Sequence, residues 1–375
     1  MKGRMFVVNE TTITNTVSSN IVSVFVPDTI CDPSPDIGKQ WLKTVADIMA
    51  DMLQVEKGDY IFLWETGDHN KKSRIHGVYR AISDPYYHCA SPSDKAPFKI
   101  HVEKAYDFEN PLDEYDILNC PYIKDALWTI IGKKVAGKSR GTSPLSMSEV
   151  RHLITLLIGR NPEYTFIEED PSRYISVSNA LQINYARKGS NAKPVSLPSL
   201  DPNKLNYLSA NSNVHYEKIL ETIFNQEMAK RNASFFSQIG VDVKKVLWYS
   251  NYLPYSIEQS EMDYVIIVSE DGTNISKIFV IELQAQKIDE DHIHRCLMYG
   301  KWVNETLALG TSIVQPILIC PQSYDFINGE THRASARCLN TLNETAKNYE
   351  KLYGVKPLEV FEYSFENTPT FIKKR

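Results

Sequence analysis

The chain has 375 residues, which is long enough for two or three domains that each bury a core. Its formal net charge of -5 excludes a protein that coats nucleic acid through bulk positive charge, so phosphate contacts must come from local basic patches. The six cysteines are scattered without a Cys-x-x-Cys pair, which argues against a zinc site or disulfide framework and predicts a cytoplasmic location. With no apolar run near the roughly 18 residues of a membrane span and no signal peptide at the start, we expect no membrane association.

The first 165 residues alternate short apolar strands with helices. Apolar, β-branched runs predict strands at 6–8, 21–26, 58–64, 75–83 and 98–102, and helical spacing predicts a helix at 41–53. Ser146 and Glu149 form a capping box, which predicts that a helix begins there, runs over 147–158 and is closed by Gly159.

The order of these elements resembles the EVE and YTH-like members of the PUA superfamily. The resemblance covers about residues 4–162 and depends on Gly58-Asp59 at a strand start, the following strand IHGVYRAI (75–82), and the segment 137–145 before the capped helix. It implies a small, curved β-barrel with flanking helices. Such domains take a modified base out of a nucleic acid strand into an aromatic-lined pocket.

Three aromatic residues are candidates for that pocket: Trp41, Trp64 and, less strongly, Tyr79. Flipping a base costs a few kcal/mol, and stacking on aromatic faces recovers on the order of 1–3 kcal/mol per base. The alternative is that all three belong to the core, which is the more frequent position of an aromatic residue in a strand.

A basic cluster stands shortly before the capped helix. It consists of Lys133, Lys134, Lys138 and Arg140, close to glycines that let the backbone approach a phosphate. The amide groups at the start of the helix would add further donors. These residues are therefore candidate phosphate contacts, with an ordinary solvated loop as the alternative.

A connecting segment over residues 166–212 separates two modules. Its second part, 187–212, is rich in Ser, Asn, Pro and Lys and poor in periodic apolar residues, which is the composition of a linker. Residues 166–186 keep several apolar side chains and can pack on the first module. We predict domains at 1–165 and 213–375.

The second module contains a hairpin with acids at its end. Strands over 261–268 and 278–284 flank a polar turn with Asp271-Gly272, a pair that favours the positive backbone angles of tight turns. Asp263 and Glu282 fall at one end of the hairpin, and Gln284 shares a strand face with Glu282. Oxygen ligands on paired strands predict a site for Mg²⁺, with Mn²⁺ as the alternative.

Further elements surround this hairpin. Before it, a helix over 214–224 presents Glu217 and Glu221 on one face, since they lie four residues apart. After it come a helix across Arg295 and strands at 316–320 and 358–363, which are separated by a helix over 333–352. This order predicts an α/β core.

The pattern resembles the PD-(D/E)XK nucleases. The resemblance implies that Asp263, Glu282 and the carbonyl of Leu283 bind the metal, that Gln284 or Lys287 positions the attacking water, and that Glu221 or Glu217 is the helix carboxylate. The chain departs from the family in three places. Met262 stands where proline is usual, Gln284 where lysine is usual, and Arg295 where some members have the glutamine of Gln-x-x-x-Tyr. The alternative is that the two hairpin acids merely cap strands.

The sequence therefore predicts a two-domain α+β and α/β protein, with an N-terminal PUA-like β-barrel and a C-terminal PD-(D/E)XK core. The combination resembles modification-dependent, type IV-like restriction enzymes. It implies a Mg²⁺-dependent endonuclease that acts on DNA carrying a modified base, as a homodimer because one nuclease site cuts one strand. Two alternatives remain open: a noncatalytic reader with a degenerate nuclease fold, and a nuclease that acts on structured DNA or on RNA.

Overall fold

The computed structural model of the protein describes residues 2–24, 47–67, 72–88, 96–118, 141–176, 195–197, 217–255, 260–285, 288–308, 310–321, 335–365 and 369–375. The chain divides into two compact units, Met1–Leu205 and Asn206–Arg375. The boundary falls inside the predicted connecting segment. Among the described residues, no helix is long and apolar enough to cross a membrane.

The N-terminal unit mixes strands with short helices. Its elements are β1 (Gly3–Val8), α1 (Glu10–Ser19), β2 (Ile21–Val24), β3 (Tyr60–Glu65), β4 (Arg74–Ala81), β5 (Tyr86–Tyr87), β6 (Phe98–Asp107), β7 (Leu112–Asp113), α2 (Glu114–Leu118), β8 (Thr142–Leu145), α3 (Met147–Arg160), β9 (Thr165–Phe166) and β10 (Val195–Ser196). Residues 47–53 are also helical, and the rest of the helix predicted from residue 41 lies outside the described residues.

The strands of this unit form one mixed sheet in the order β10-β5-β6-β4-β3-β1-β8. β1 and β3 are parallel, and the other pairs are antiparallel. β6 pairs with β2 and β5 through its first half and with β4 and β9 through its second half. A strand shared in this way joins two halves of a sheet at a corner. The predicted α+β class is confirmed, and closure into a barrel stays a prediction.

Helix α1 was not predicted, because Thr and Ser make up much of it and both residue types disfavour helix interiors. Local hydrogen bonds hold it. The side chain of Asn9 accepts from the amide of Thr12 (2.8 Å), and the Thr14 hydroxyl donates to the carbonyl of Glu10 (3.1 Å). Asn20 ends the helix in the left-handed conformation, with φ 56°.

The capping box of α3 is confirmed, but the predicted end of the helix is wrong. Ser146 accepts from the amide of Glu149 (3.2 Å), whose carboxylate accepts from the amide of Ser146 (2.8 Å). Gly159 lies inside the helix, which ends at Arg160. Asn161 caps it because its side-chain amide donates to the carbonyls of Leu157 and Asn110 (2.9 Å each). A contact between distant residues, rather than glycine, sets the end.

The C-terminal unit is an α/β sheet with helices. Its elements are α4 (Glu217–Ala229), α5 (Ala233–Ser237), β11 (Val246–Tyr255), β12 (Ser260–Val268), β13 (Lys277–Leu283), α6 (Glu290–Thr306), β14 (Ile313–Cys320), α7 (Ser335–Tyr353), β15 (Glu359–Phe365) and β16 (Pro369–Lys373). The predicted helices and strands of this unit are all found. Strands β11 and β16, and the short helix α5, were not predicted.

The six strands follow the order β11-β12-β13-β14-β15-β16. The predicted hairpin is confirmed as the antiparallel pair β12 and β13, and Gly272 in its turn has φ +80°. β13, β14 and β15 are parallel to one another, whereas both edge strands pair in the antiparallel sense. α6 packs against β13 and β14, and α7 packs against α6.

An aromatic cluster fixes α4 against the sheet. Phe224 is fully buried, and its ring lies 5.6 Å from that of Tyr264 in β12 and 5.0 Å from that of Phe235 in α5. Edge-to-face packing of this kind stabilises a pair by about 0.5–1.5 kcal/mol beyond the area it buries. Glu221 precedes Phe224 by one helical turn, and Asp263 precedes Tyr264 by one residue. The cluster therefore holds two acidic side chains in fixed positions.

Candidate metal centre

Acidic side chains from three elements of the C-terminal unit meet at one end of the β12–β13 hairpin. Tyr264 pairs with Ile281, so one step further along the ladder Asp263 lies opposite Glu282. Opposed residues of an antiparallel pair point to the same face. Helix α4 adds Glu217 and Glu221, and α4 packs against β13. The predicted grouping of hairpin and helix acids is what the structure shows.

The closest group is formed by Glu217, Glu221 and Asp263. One carboxylate oxygen from each lies within 4.8 Å of the others, and Glu221 and Asp263 are buried. Asp263 Oδ2 accepts a hydrogen bond from the amide of Leu283 (2.8 Å), and Glu221 Oε2 accepts one from Asn251 Nδ2 (3.1 Å). Three carboxylates at this separation repel one another unless a proton or a cation lies among them.

Glu282 stands beside this group with one oxygen engaged and the other unsatisfied. The residue is only 2% exposed. Oε1 accepts from Arg295, whose Nε lies at 2.6 Å and whose Nη2 lies at 2.5 Å. Oε2 is buried and accepts no hydrogen bond from an N–H group in the part of the chain that the structure describes, while the carboxyl of Asp263 lies within hydrogen-bond reach of Glu282. Burial raises the pKa of Glu282 to about 7; Arg295 opposes this rise, and the negative charge of Glu217 adds to it.

These residues fit a divalent metal ion. The donors are carboxylate oxygens, which Mg²⁺ and Mn²⁺ prefer over softer ligands. The unsatisfied Oε2 of Glu282 is a ligand atom that needs a partner, since a buried carboxylate oxygen without one is costly. Asn251 and the Leu283 amide hold Glu221 and Asp263 in the manner in which outer hydrogen bonds orient metal ligands.

The structure describes two of the three other predicted site residues, Gln284 and Leu283. Gln284 is buried, and its side-chain Nε2 donates to Glu282 Oε1 at 3.3 Å. The amide of Leu283 binds Asp263, while metal ligation by its carbonyl stays a prediction. Lys287 lies outside the described residues. Sequence reasoning missed Asn251, which lies in the unpredicted strand β11, and it missed the contact between Arg295 and Glu282.

The aromatic candidates of the N-terminal unit do not come together on one face. Trp64 is 8% exposed and belongs to an apolar cluster with Phe62, Ile75 and other core residues. Tyr79 lies opposite Ile61 in β3, and Ile61 faces away from Phe62 because adjacent strand residues alternate. The two rings therefore lie on opposite faces of the sheet. Burial raises the pKa of Tyr79. Base binding by either residue stays a prediction.

Trp41 and the four basic residues Lys133, Lys134, Lys138 and Arg140 lie outside the described residues.

An aromatic surface that was not predicted from the sequence is present nearer the end of this unit. Tyr106 stacks on Phe108 at 5.2 Å and contacts Phe166 at 5.0 Å, and Phe166 is 50% exposed. The available sequence signal was the two-residue spacing of Tyr106 with Phe108 and of Tyr164 with Phe166.

Comparisons with known proteins give structural matches only. No protein-family model matches the sequence, and no curated protein does. The chain is similar to a hypothetical protein from Leishmania major, at 10% identity over 43% of this chain and 96% of that one, with a TM-score of 0.28. It is also similar to the Mmi1 YTH domain, at 13% identity over 42% of this chain and 90% of that one, with a TM-score of 0.23.

A third match is the human THYN1 protein, solved in complex with DNA that contains 5-methylcytosine. The identity is 11%, the match covers 42% of this chain and 97% of that one, and the TM-score is 0.25. At these TM-scores the likenesses carry no structural argument, and no site residue is transferred from them. The sheets and the acidic centre described above are the basis for assigning a function.

Proposed function

We propose that this protein is a metal-dependent endonuclease of the type IV restriction kind, which hydrolyses phosphodiester bonds in DNA near a modified base. The observation that carries the proposal is the meeting of Glu217, Glu221 and Asp263 within 4.8 Å of one another, beside the buried Glu282. Packing alone does not explain such a group, because like charges repel and buried carboxylates lose their hydration. A divalent cation offsets both effects.

In this proposal Asp263, Glu221 and the Oε2 atom of Glu282 hold Mg²⁺, with Glu217 and the Leu283 carbonyl as further ligands. When bound, the ion lowers the pKa of a water molecule and neutralises charge on the scissile phosphate. The chain contributes orientation. The amide of Leu283 fixes Asp263, Asn251 fixes Glu221, and Gln284 orients the attacking water through its side-chain amide.

The reader function belongs to the N-terminal unit in this proposal. Its strands β3 and β4 and the capped helix α3 follow one another in the order that the sequence resemblance requires. Modified DNA is the proposed ligand, and RNA is the alternative. Double-strand cleavage requires a homodimer on DNA, since one site cuts one strand.

A noncatalytic reader is the second candidate, and one observation favours it. Position 284 carries neutral glutamine, and the nearby carboxylate of Glu282 is already paired with Arg295. A site of this kind can survive as a scaffold after its activity is lost. Cleavage assays separate the two candidates.

The decisive experiment is cleavage of a panel of DNA duplexes that differ only in carrying cytosine, 5-methylcytosine, 5-hydroxymethylcytosine or N6-methyladenine, with a matched RNA set. We expect wild-type protein to cut one modified duplex with Mg²⁺ or Mn²⁺, and EDTA to stop the reaction. Asp263→Asn should lower the rate at least about a hundredfold, because it removes the negative charge of a metal ligand. Glu305→Gln removes a charge from an exposed position on α6 and is the control.

Wild-type rates in Asp263→Asn would contradict the assignment of the centre. Modification-specific binding without cleavage of any substrate would favour the noncatalytic reader.

The reader is tested by the binding of full-length Asp263→Asn protein to the same duplexes at several salt concentrations. Trp41→Ala or Trp64→Leu, each of which removes the aromatic face, should lower the preference for modified DNA roughly tenfold to a hundredfold if the ring stacks on the base. Lys138→Ala or Arg140→Ala should weaken binding to every duplex and make the log-log salt slope shallower by about 0.9 per lost phosphate contact. Equal affinity for all duplexes and RNAs would contradict a reader function.

A further inference from the structure

Arg295 of helix α6 reaches the acidic centre, whereas the residue directly after β13, Gln284, carries no charge. Phosphodiester hydrolysis gathers negative charge on the phosphate, and fixed positive groups at that point stabilise the transition state. The side chain at 284 is a neutral amide, and it points its Nε2 at Glu282 Oε1. Arg295 approaches the same oxygen from α6.

The geometry leaves part of the guanidinium available. Nε and Nη2 both converge on Glu282 Oε1, whereas a guanidinium has five N–H donors. The side chain of Arg295 is 40% exposed, although its partner Glu282 is 2% exposed. One edge of the group is therefore held against Glu282, and the partly exposed side chain leaves other N–H donors open to a ligand.

The pairing also keeps the arginine in place. A guanidinium stays protonated in proteins, and two of its nitrogen atoms bond to Glu282 Oε1. Arg295 therefore holds a fixed position with a permanent charge, as transition-state stabilisation requires.

We propose that Arg295 supplies, from α6, the positive charge that Gln284 cannot give, and that its remaining N–H donors contact the scissile phosphate while Glu282 anchors it. This inference deepens the proposed nuclease function and rests on it. Planar, forked donors match phosphate oxygens better than a lysine ammonium does. Arg295 is then a substrate-contacting residue, and Glu282 has two roles, one through each oxygen.

The test uses the full-length chain and the modified duplex that wild-type protein cuts, with cleavage followed at saturating Mg²⁺. We expect Arg295→Ala to slow the reaction by about 10²- to 10³-fold, as the loss of one transition-state donor does. Arg295→Lys should recover part of the rate. The variants are compared with Lys301→Ala, which removes a cation from the same helix, where Lys301 pairs with Glu305.

The double variant Arg295→Ala, Gln284→Lys is the most direct test of whether the two positions can supply the same positive charge. If they can, the added lysine should raise the rate of Arg295→Ala by at least about tenfold, which a double-mutant cycle records as coupling. Thermal melting of each variant checks that it is folded.

Metal affinity separates a phosphate contact from a purely structural role. Titration calorimetry with Mn²⁺ should show that Arg295→Ala keeps its affinity within about threefold, since the ligands remain, whereas loss of a residue that only orients Glu282 costs about 10- to 100-fold. Parallel loss of Mn²⁺ affinity and rate, without rescue by lysine, would overturn the inference, as would a rate near wild type. A wild-type protein that cuts nothing overturns the proposed function itself, and this inference with it.

Discussion

The two units place their chemically interesting residues in opposite surroundings. In the N-terminal unit the described aromatic candidates are buried, and Trp64 packs with Phe62 in a core cluster, which burial alone can explain. In the C-terminal unit Glu221 and Asp263 are buried among like charges, which burial disfavours. Gathered acids therefore point to a ligand much more strongly than buried aromatics do.

The largest effect should come from Glu221→Gln, which sharpens this contrast. The change removes a ligand charge, and we expect cleavage to fall by at least about a hundredfold. It also relieves repulsion, so the free energy of unfolding without metal should stay the same or rise by about 1 kcal/mol. Cleavage assays and denaturant titration measure the two effects. A destabilised variant with normal cleavage would mean that Glu221 is a structural residue.

Trp64→Ala tests whether this buried aromatic residue of the N-terminal unit belongs to the core. For a core residue the loss should be about 3–5 kcal/mol of unfolding free energy, and Trp64→Phe should lose much less. Denaturant titration of the full chain, with hydrogen exchange to locate the change in the N-terminal unit, gives the value. A cost below about 1 kcal/mol would indicate that the ring fills a binding pocket rather than the core.

The buried Asp59 of the N-terminal unit gives a pH dependence without a ligand. Burial raises the pKa of Asp59 to about 6; Lys2 opposes this rise, and Glu56 adds to it. An acid with a raised pKa gives stability that is complete below its unfolded value near 4 and is lost as pH rises through about 6, a difference of roughly 3 kcal/mol.

The variant Asp59→Asn should remove this dependence while keeping the bond from the amide of Glu56, which an amide oxygen also accepts. Unfolding of wild type and variant between pH 4 and 8 measures the difference. Mg²⁺ should not change the difference between the two profiles. If both proteins have the same profile, the pKa of Asp59 is not raised.

The smallest effects concern the capping box that begins α3 and a second one that begins α6. In the second, Asp289 accepts from the amide of His292 (3.0 Å), and His292 Nδ1 accepts from the amide of Asp289 (3.1 Å). Ser146→Ala in α3 and Asp289→Ala in α6 should each cost about 1 kcal/mol, because each leaves a helix amide without its acceptor. Thr155→Ala is the control, since its hydroxyl only bonds the carbonyl one turn back. Thermal melting compares them. A much larger loss at Asp289 would show that the start of α6 also supports the acidic centre.

Local patterns were enough for much of the C-terminal unit. The hairpin followed from two β-branched runs around Asp271-Gly272, because turn chemistry and strand propensity agree there. In the N-terminal unit, the capping box at Ser146 and Glu149 could also be predicted from its local sequence. Helix α1 was not, since its Thr-rich sequence disfavours a helix and only hydrogen bonds from Asn9 and its own hydroxyls stabilise it.

The sequence by itself predicted that acids of α4 and of the hairpin meet, because helical spacing puts Glu217 and Glu221 on one face and the hairpin puts Asp263 and Glu282 at one end. Metal binding by these acids stays a prediction. The tertiary structure decided their environment. It brought Asn251 from an unpredicted strand to Glu221, and it brought Arg295 from the next helix to Glu282. Such contacts join residues that are far apart in the chain, and periodicity carries no information about them. The same reason explains why Asn161, through Asn110, ends α3 where glycine was expected.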